Sequence, residues 1–215
     1  MIAYYVIRKV KNMSYIINLI DRFKYSVIKS IYTLYEKWYN IHNIISIIKY
    51  ERDKRMKRGK YTASDIAKWF LQYNQEIMFT DDADLITNLK LQKLLYYAQS
   101  AFLAIKNEKL FNEPIVAWSH GPVIEDVYHY YKEYGSNGIP CPDDTISIDE
   151  EDEELLKAVY SVFGKYSAWG LRNRTHEEEP WIVATDNGTV FNRRIDENIM
   201  KDYFKNNYVK TENQR

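Results

Sequence analysis

Four histidines are the side chains of this 215-residue sequence best suited to acid–base or metal chemistry: His42, His120, His129 and His176. A zinc-binding helix places two histidines four positions apart, whereas His120 and His129 are separated by nine positions and a Gly-Pro turn. The glutamates at 177–179 follow His176 and offer oxygen ligands, but in no recognised ligand pattern. We therefore expect no metal and no cofactor. In an enzyme, His120, His176 and a nearby glutamate would be the candidates for general acid and base.

Other residues that catalyse reactions are sparse in this sequence. Cys141 is its single cysteine, which excludes an intramolecular disulfide and a cysteine-rich zinc site. Neither a glycine-rich phosphate loop nor the GxSxG turn of a nucleophilic serine is present. Only seven glycines and five prolines interrupt the chain, which favours helices over many short strands. These features predict a helical protein that is not an enzyme.

The formal net charge of zero hides a division of the chain into a basic and an acidic part. Residues 1–60 contain 14 Lys and Arg against 4 Asp and Glu, whereas residues 61–215 contain 16 against 26. A nucleic acid needs a basic surface to neutralise its phosphates, so the acidic part is not expected to bind one directly.

Apolar residues recur at steps of three or four from Ile16 to Ile48, which predicts a basic amphipathic helical extension over residues 1–55. Such a helix can dock on a protein partner, or residues 15–48 can lie on an anionic membrane, which we consider less favoured. A third interpretation places the natural start at Met56. No apolar run reaches the length of a membrane-spanning helix, and no signal-peptide cleavage site is visible, so we expect a cytoplasmic protein.

Residues 61–210 have the patterns of a mainly α-helical domain with at most a short hairpin. Thr87 is the predicted N-cap of a central helix whose apolar face contains Leu91, Leu94, Leu95, Ala98, Phe102 and Ile105. We expect Leu94, Leu95 and Ala98 to be buried. The segment around Gly121 and Pro122 predicts a turn after a short extended piece. Ser147 and Glu150 fit a capping box at the start of a helix with an acidic first turn.

Two segments, 118–122 and 167–181, combine aromatic and polar residues near predicted helix ends. Surface tryptophans beside polar groups are frequent anchors of protein interfaces, so Trp118, Trp169 and Trp181 are candidates for contact with a partner. The alternative is that they are core residues whose polar tips form internal hydrogen bonds. Composition and spacing thus indicate a helical interaction domain.

Three stretches resemble a known family when they are taken in order. TNLKLQKLLYYAQ covers residues 87–99, WSHGPVIEDVYHYYKEYG covers 118–135, and SAWGLRNRTHEEEPW covers 167–181. Their order and spacing are similar to those of the Panacea domain, the SocA-like antitoxin family, which also includes phage-associated proteins. The residues that match the family's motifs are Leu91, Gln92, Lys93, Leu94, Tyr96, Tyr97, Trp118, Gly121, Pro122, Val123, Tyr128, Tyr131, Thr175, His176, Pro180 and Trp181.

The resemblance implies an antitoxin that neutralises a cognate toxin, encoded by a neighbouring gene, through protein–protein binding. It implies no enzymatic activity, and it implies that the motif positions hold a shared scaffold and do not themselves select the toxin. A phage or mobile-element protein that contacts a host protein, or an enzyme that uses histidine and glutamate, are the alternatives. The identity of the toxin, its binding surface and the oligomeric state stay open. Neutralisation could be direct, or it could proceed by proteolytic hand-over, and both alternatives stay open.

Overall fold

A computed structural model describes residues 29–30, 33–47, 59–78, 84–144 and 146–209. The chain divides into two units, residues 1–53 and 54–215. In the first unit, residues 33–47 form a helix, α1, as the apolar spacing predicts. Leu34, Trp38, Ile41 and Ile45 are each more than half exposed on it. The whole of the predicted stripe before residue 29, together with Ile31 and Ile48, lies outside the described residues.

The second unit is built mainly from helices, with one small sheet. Its elements in chain order are α2 Ala63–Met78, α3 Asn88–Ala101, a π-helical turn Phe102–Lys106, β1 Val116–Trp118, β2 Gly121–Val123, α4 Glu125–Tyr130, a 3-10 turn Lys132–Tyr134, α5 Glu150–Phe163, α6 Ala168–His176, α7 Glu179–Thr185, β3 Arg193–Arg194 and α8 Glu197–Tyr208. The sheet has the order β2-β1-β3 and is antiparallel throughout. The predicted fold class, mainly α with a short hairpin, is confirmed. None of the described helices is long and apolar enough to cross a membrane.

Side chains near the helix starts fix where several helices begin. Thr62 and Asp65 bond each other's backbone N–H groups before α2, which is a reciprocal cap. The Thr87 hydroxyl accepts from the Lys90 N–H at the start of α3, as predicted. The prediction for α5 is wrong, because Asp149 and not Ser147 occupies its N-cap position, and no side chain bonds that cap. Ser147 lies two residues before the cap, too far upstream to fill that position.

Helix α3 is the centre of the domain, and α2, α5, α6, α8 and β2 pack against it. Leu94, Leu95 and Ala98 are fully buried, as predicted. Phe102 is buried as well, but Ile105 is 52% exposed, so its predicted place on the buried face is wrong. The helix widens into the π-helical turn at Phe102. Residues of a π turn advance less around the helix axis, which rotates Ile105 away from the core.

The acidic first turn of α5 has a structural role, as its position at a helix N-terminus predicts. Asp152 is 5% exposed and accepts hydrogen bonds from Lys60 Nζ at 2.6 Å, Lys106 Nζ at 2.6 Å and the Tyr61 hydroxyl at 2.8 Å. These contacts hold the start of α5 against the segment before α2 and the end of the π-helical turn. The lysine hydrogen bonds keep the pKa of Asp152 below its usual value although burial acts to raise it.

Candidate functional site

The motif residues meet where α3 packs against the hairpin, α6 and α7, and most of them point into the domain. Leu91, Leu94, Tyr131 and Val123 belong to its buried apolar residues, and Pro180 is buried in the first turn of α7. Trp118 and Tyr128 are only partly buried and meet edge to face, with ring centroids 4.8 Å apart. The polar motif residues form two separate hydrogen-bonded groups, which we call the lysine site and the glutamate site.

The lysine site is centred on Lys93, which is fully buried between α3 and β2. Its Nζ donates a hydrogen bond to the Pro122 carbonyl oxygen at 3.0 Å. Burial, and then the positive charge of Arg172, lowers the pKa of Lys93 to about 7. Gly121 has a φ of +97°, and a Cβ atom there would lie 2.7 Å from Lys93 Cε and 2.8 Å from Thr175 Oγ1. Glycine is therefore required for the close approach of β2 to the lysine.

Gln92 extends the lysine site toward α4. Its side-chain oxygen accepts from the Ile124 N–H at 2.9 Å, and its Nε2 donates to Asn88 Oδ1 at 3.0 Å. Asn88 in turn donates to the Tyr128 carbonyl oxygen at 3.0 Å. The side chains of Gln92 and Asn88 are both buried. They satisfy backbone groups of the hairpin and of α4, and so fix these short elements on the central helix.

The glutamate site surrounds Glu178, which is 2% exposed. Three tyrosine hydroxyls donate to its carboxylate: Tyr96 at 3.0 Å, Tyr97 at 2.8 Å and Tyr208 at 2.6 Å. Arg174 donates to the Tyr208 hydroxyl at 2.9 Å, and its Nε lies 4.0 Å from Glu178 Oε1. Burial raises the pKa of Glu178, although the tyrosine hydrogen bonds act to lower it. The site joins α3 to the residues before α7 and to the last turn of α8.

Three members of the glutamate site, Glu178, Arg174 and Tyr208, were not among the site residues predicted from the sequence. Glu178 was considered only as one of the glutamates at 177–179, as a possible ligand or catalytic group. The four-residue spacing from Arg174 to Glu178 was a weak signal of an ion pair, because helix α6 ends at His176, between the two residues. Nothing in the sequence shows that Glu178, and not Glu177 or Glu179, is buried.

His176 and Trp181 connect α6 and α7 to the hairpin. The imidazole nitrogens of His176 lie 2.6 Å from the Arg172 carbonyl oxygen and 3.0 Å from the Ser119 carbonyl oxygen. The Trp181 N–H donates to the Trp118 carbonyl oxygen at 3.0 Å, and its ring lies 3.9 Å from that of His176. Burial lowers the pKa of His176. Because both nitrogens contact the backbone, His176 is placed to bind the hairpin and not a substrate.

The other proposed acid–base residue, His120, is in the exposed turn between β1 and β2, and its ring meets that of Trp169 at 5.9 Å. Over the described parts of the chain, no group of three or more His, Cys, Asp and Glu could hold a metal ion. Cys141 is exposed.

A groove of about 420 Å³ opens beside the lysine site, between α3, the hairpin, α4 and the start of α6. The motif residues Gln92, Trp118, Val123 and Tyr128 line it. Trp169, at the start of α6, completes its wall and is 60% exposed. The groove therefore joins the buried motif to the surface of the domain.

Comparison with known proteins identifies the class to which this fold and site belong. The family described as "Antitoxin SocA-like, Panacea domain" matches residues 91–182, which include every motif residue. The chain is 32% identical over 136 residues to "Antitoxin SocA" of Caulobacter vibrioides (strain NA1000 / CB15N), and the match covers 56% of this chain and 72% of that protein. No solved structure matches. The chain belongs to the SocA-like antitoxin family with a Panacea domain.

Proposed function

We propose that this protein is an antitoxin that neutralises a cognate toxin by direct protein–protein binding, in a toxin–antitoxin or phage-defence locus. Family membership and the name of its relative in Caulobacter vibrioides support this function. The toxin is a protein encoded by a neighbouring gene. Residues 61–210 form the neutralising domain, and residues 1–55 are an extension outside it.

The observation that carries the proposal is the use of the motif's polar side chains within the fold. Gln92 and Lys93 bond the hairpin, and Tyr96 and Tyr97 bond Glu178. His176, one of the two histidine candidates for an acid–base catalyst, contacts two backbone carbonyl oxygens. A shared motif of an enzyme directs reactive groups toward a substrate. Here the motif stabilises a scaffold, which favours a binding protein.

Co-expression with the product of the adjacent reading frame tests the function. We expect that product to arrest growth when it is expressed alone, and the full chain to restore growth and co-purify with it. His120→Ala should reduce neutralisation only in part, because His120 lines the groove beside the lysine site, whereas the loss of a catalytic group should abolish it. A neighbouring product that is toxic but neither rescued nor bound by the full chain would contradict direct neutralisation.

A chain starting at Met56 tests the proposed domain organisation in the same assay. If residues 61–210 are the neutralising domain, the shorter chain should keep the melting temperature and the rescue of the full chain. A large loss of either would show that the first 55 residues are part of the working protein.

A further inference from the structure

The groove beside the lysine site has the form of a preformed binding surface. Its floor is held by hydrogen bonds, because Gln92 binds the Ile124 N–H and the Trp118 carbonyl accepts from Trp181. Because this floor is already ordered before a partner binds, binding does not carry the entropic cost of ordering it. Trp169 stands at the edge with 60% of its surface exposed. An exposed tryptophan beside a concave apolar surface is the residue type that most often dominates an interface.

The groove is lined by two sets of residues, one within the motif and one outside it. Leu89, Lys132, Ala168 and Trp169 line it, and none of them is a motif residue. Their side chains can therefore differ without loss of the internal hydrogen bonds of the lysine and glutamate sites. A fixed floor beside lining residues that can differ would let one scaffold accept different partners.

The charge of the groove differs from that of the chain segment around it. Residues 61–215 carry 26 acidic against 16 basic side chains, yet no carboxylate is among the described residues that line the groove, where Lys132 and His120 are the basic groups. The Arg172 guanidinium lies 5.9 Å from the Trp169 ring, and its buried Nε has no acceptor within the described residues. A partner with a carboxylate beside an apolar side chain is complementary to this surface.

We propose that this groove is the docking site for a segment of the toxin that presents an apolar or aromatic anchor flanked by Asp or Glu. The inference rests on the proposed function, because it takes the partner to be the toxin. The anchor packs between Trp169 and the aromatic pair of Trp118 and Tyr128, and the acidic flank faces Lys132 and His120. The affinity comes from the desolvated anchor, while the charges orient the segment.

Selection of random 12-residue peptides displayed on phage against the full chain tests the groove without knowledge of the toxin. Enriched peptides should combine an aromatic residue or leucine with a nearby Asp or Glu. Trp169→Ala should weaken the binding of the enriched peptides by about tenfold or more, as loss of a central tryptophan does. Lys132→Glu should weaken acidic peptides severalfold, and added salt should reduce this difference.

Two matched controls lie outside the groove. Tyr130→Ala removes an aromatic side chain that is 66% exposed, and Lys157→Glu reverses a charge that is paired with Glu153. Neither should change peptide binding. An unchanged melting temperature of Trp169→Ala would separate lost contact from lost folding. Failure to enrich any peptide, or enriched peptides that bind the Trp169 and Lys132 variants as tightly as the wild type, would overturn the docking site.

The rescue assay separates this inference from the proposed function. If the wild type neutralises the neighbouring product and Trp169→Ala neutralises it equally well, the docking site is wrong and the antitoxin function stands. If the wild type binds peptides through Trp169 but neutralises no neighbouring product, the antitoxin function is wrong and the groove binds another polypeptide.

Discussion

The lysine site and the glutamate site each bury an ionisable side chain, one basic and one acidic, against the same helix, and they lie one turn apart along α3. Lys93 has a single described hydrogen-bond partner, the Pro122 carbonyl oxygen, whereas Glu178 accepts from three tyrosine hydroxyls. Burial favours the neutral form of both side chains, because it lowers the pKa of Lys93 and raises the pKa of Glu178. A neutral amine can still donate to one carbonyl, so the lysine site does not depend on its charge. Three donors around one carboxylate favour the ionised form, so the glutamate site uses its charge.

The largest expected effect is at the glutamate site. Glu178→Ala leaves three buried hydroxyls without their acceptor and should cost about 3–5 kcal/mol of unfolding free energy. Glu177→Ala removes the neighbouring exposed carboxylate and should change stability by less than about 0.5 kcal/mol. Urea denaturation measures both. Equal, small effects of the two substitutions would show that the hydroxyls find other partners.

The next effect concerns the close approach of β2 at the lysine site. Gly121→Ala combines a strained φ of +97° with a Cβ contact of 2.7 Å, and should cost about 2–4 kcal/mol. Gly135 also has a positive φ, +56°, but no atom lies within 4 Å of the position of its Cβ. Gly135→Ala therefore isolates the backbone strain, and the difference between the two melting curves measures the clash. If the two substitutions cost the same, the lysine site tolerates the added methyl group.

The pH dependence of stability sharpens the contrast in charge. Lys93 has a folded pKa of about 7 against 10.5 for the ordinary side chain, so the unfolded chain binds more protons between these values. The free energy of unfolding should therefore rise with pH from 7 toward 10, with a slope from this group of up to about 1.4 kcal/mol per pH unit. Lys93→Met should lack this rise. Urea midpoints of the two proteins at pH 7, 8 and 9 measure it, and parallel curves would mean that Lys93 stays charged.

The smallest expected effect is the loss of one donor at the glutamate site. Tyr208→Phe removes the hydroxyl that bonds Glu178 and Arg174 at the end of α8, and should cost about 1 kcal/mol. Tyr203→Phe on the same helix is the matched control, with a smaller expected effect. Hydrogen exchange of the α8 amides should increase in the Tyr208 variant only. Unchanged exchange there would show that the Tyr208 hydroxyl does not hold α8 in place.

Local patterns in the sequence were sufficient for much of the fold. The cap at Thr87 and the apolar spacing to Ala98 placed α3. The Gly-Pro pair at 121–122 indicated a chain reversal nearby, but the turn itself is at Ser119 and His120, and the pair begins strand β2. Errors arose where the geometry was not that of a regular helix or cap, as at Ile105 within the π-helical turn. The apolar spacing of α5 continues to Val162 and predicts that this residue is buried, but Val162 is 46% exposed in the last turn of that helix.

The site was only partly accessible from the sequence. Family resemblance named Lys93, Tyr96 and Tyr97, and recognition of that family is confirmed. It did not supply their partners, because the hydrogen bonds from Tyr96 and Tyr97 to Glu178 span 82 and 81 residues. The groove could not be predicted from the sequence either, since the residues that line it come from α3, the hairpin, α4 and α6.

The sequence by itself determined which segments are helical and which faces are apolar, because helix hydrogen bonds and caps join residues only a few positions apart. It also determined the family, through the order of three stretches. Only the tertiary structure decided which of three consecutive glutamates is buried. Successive positions along a chain face different directions, and the packing of α3 and α8 around residue 178 left one of those directions without water.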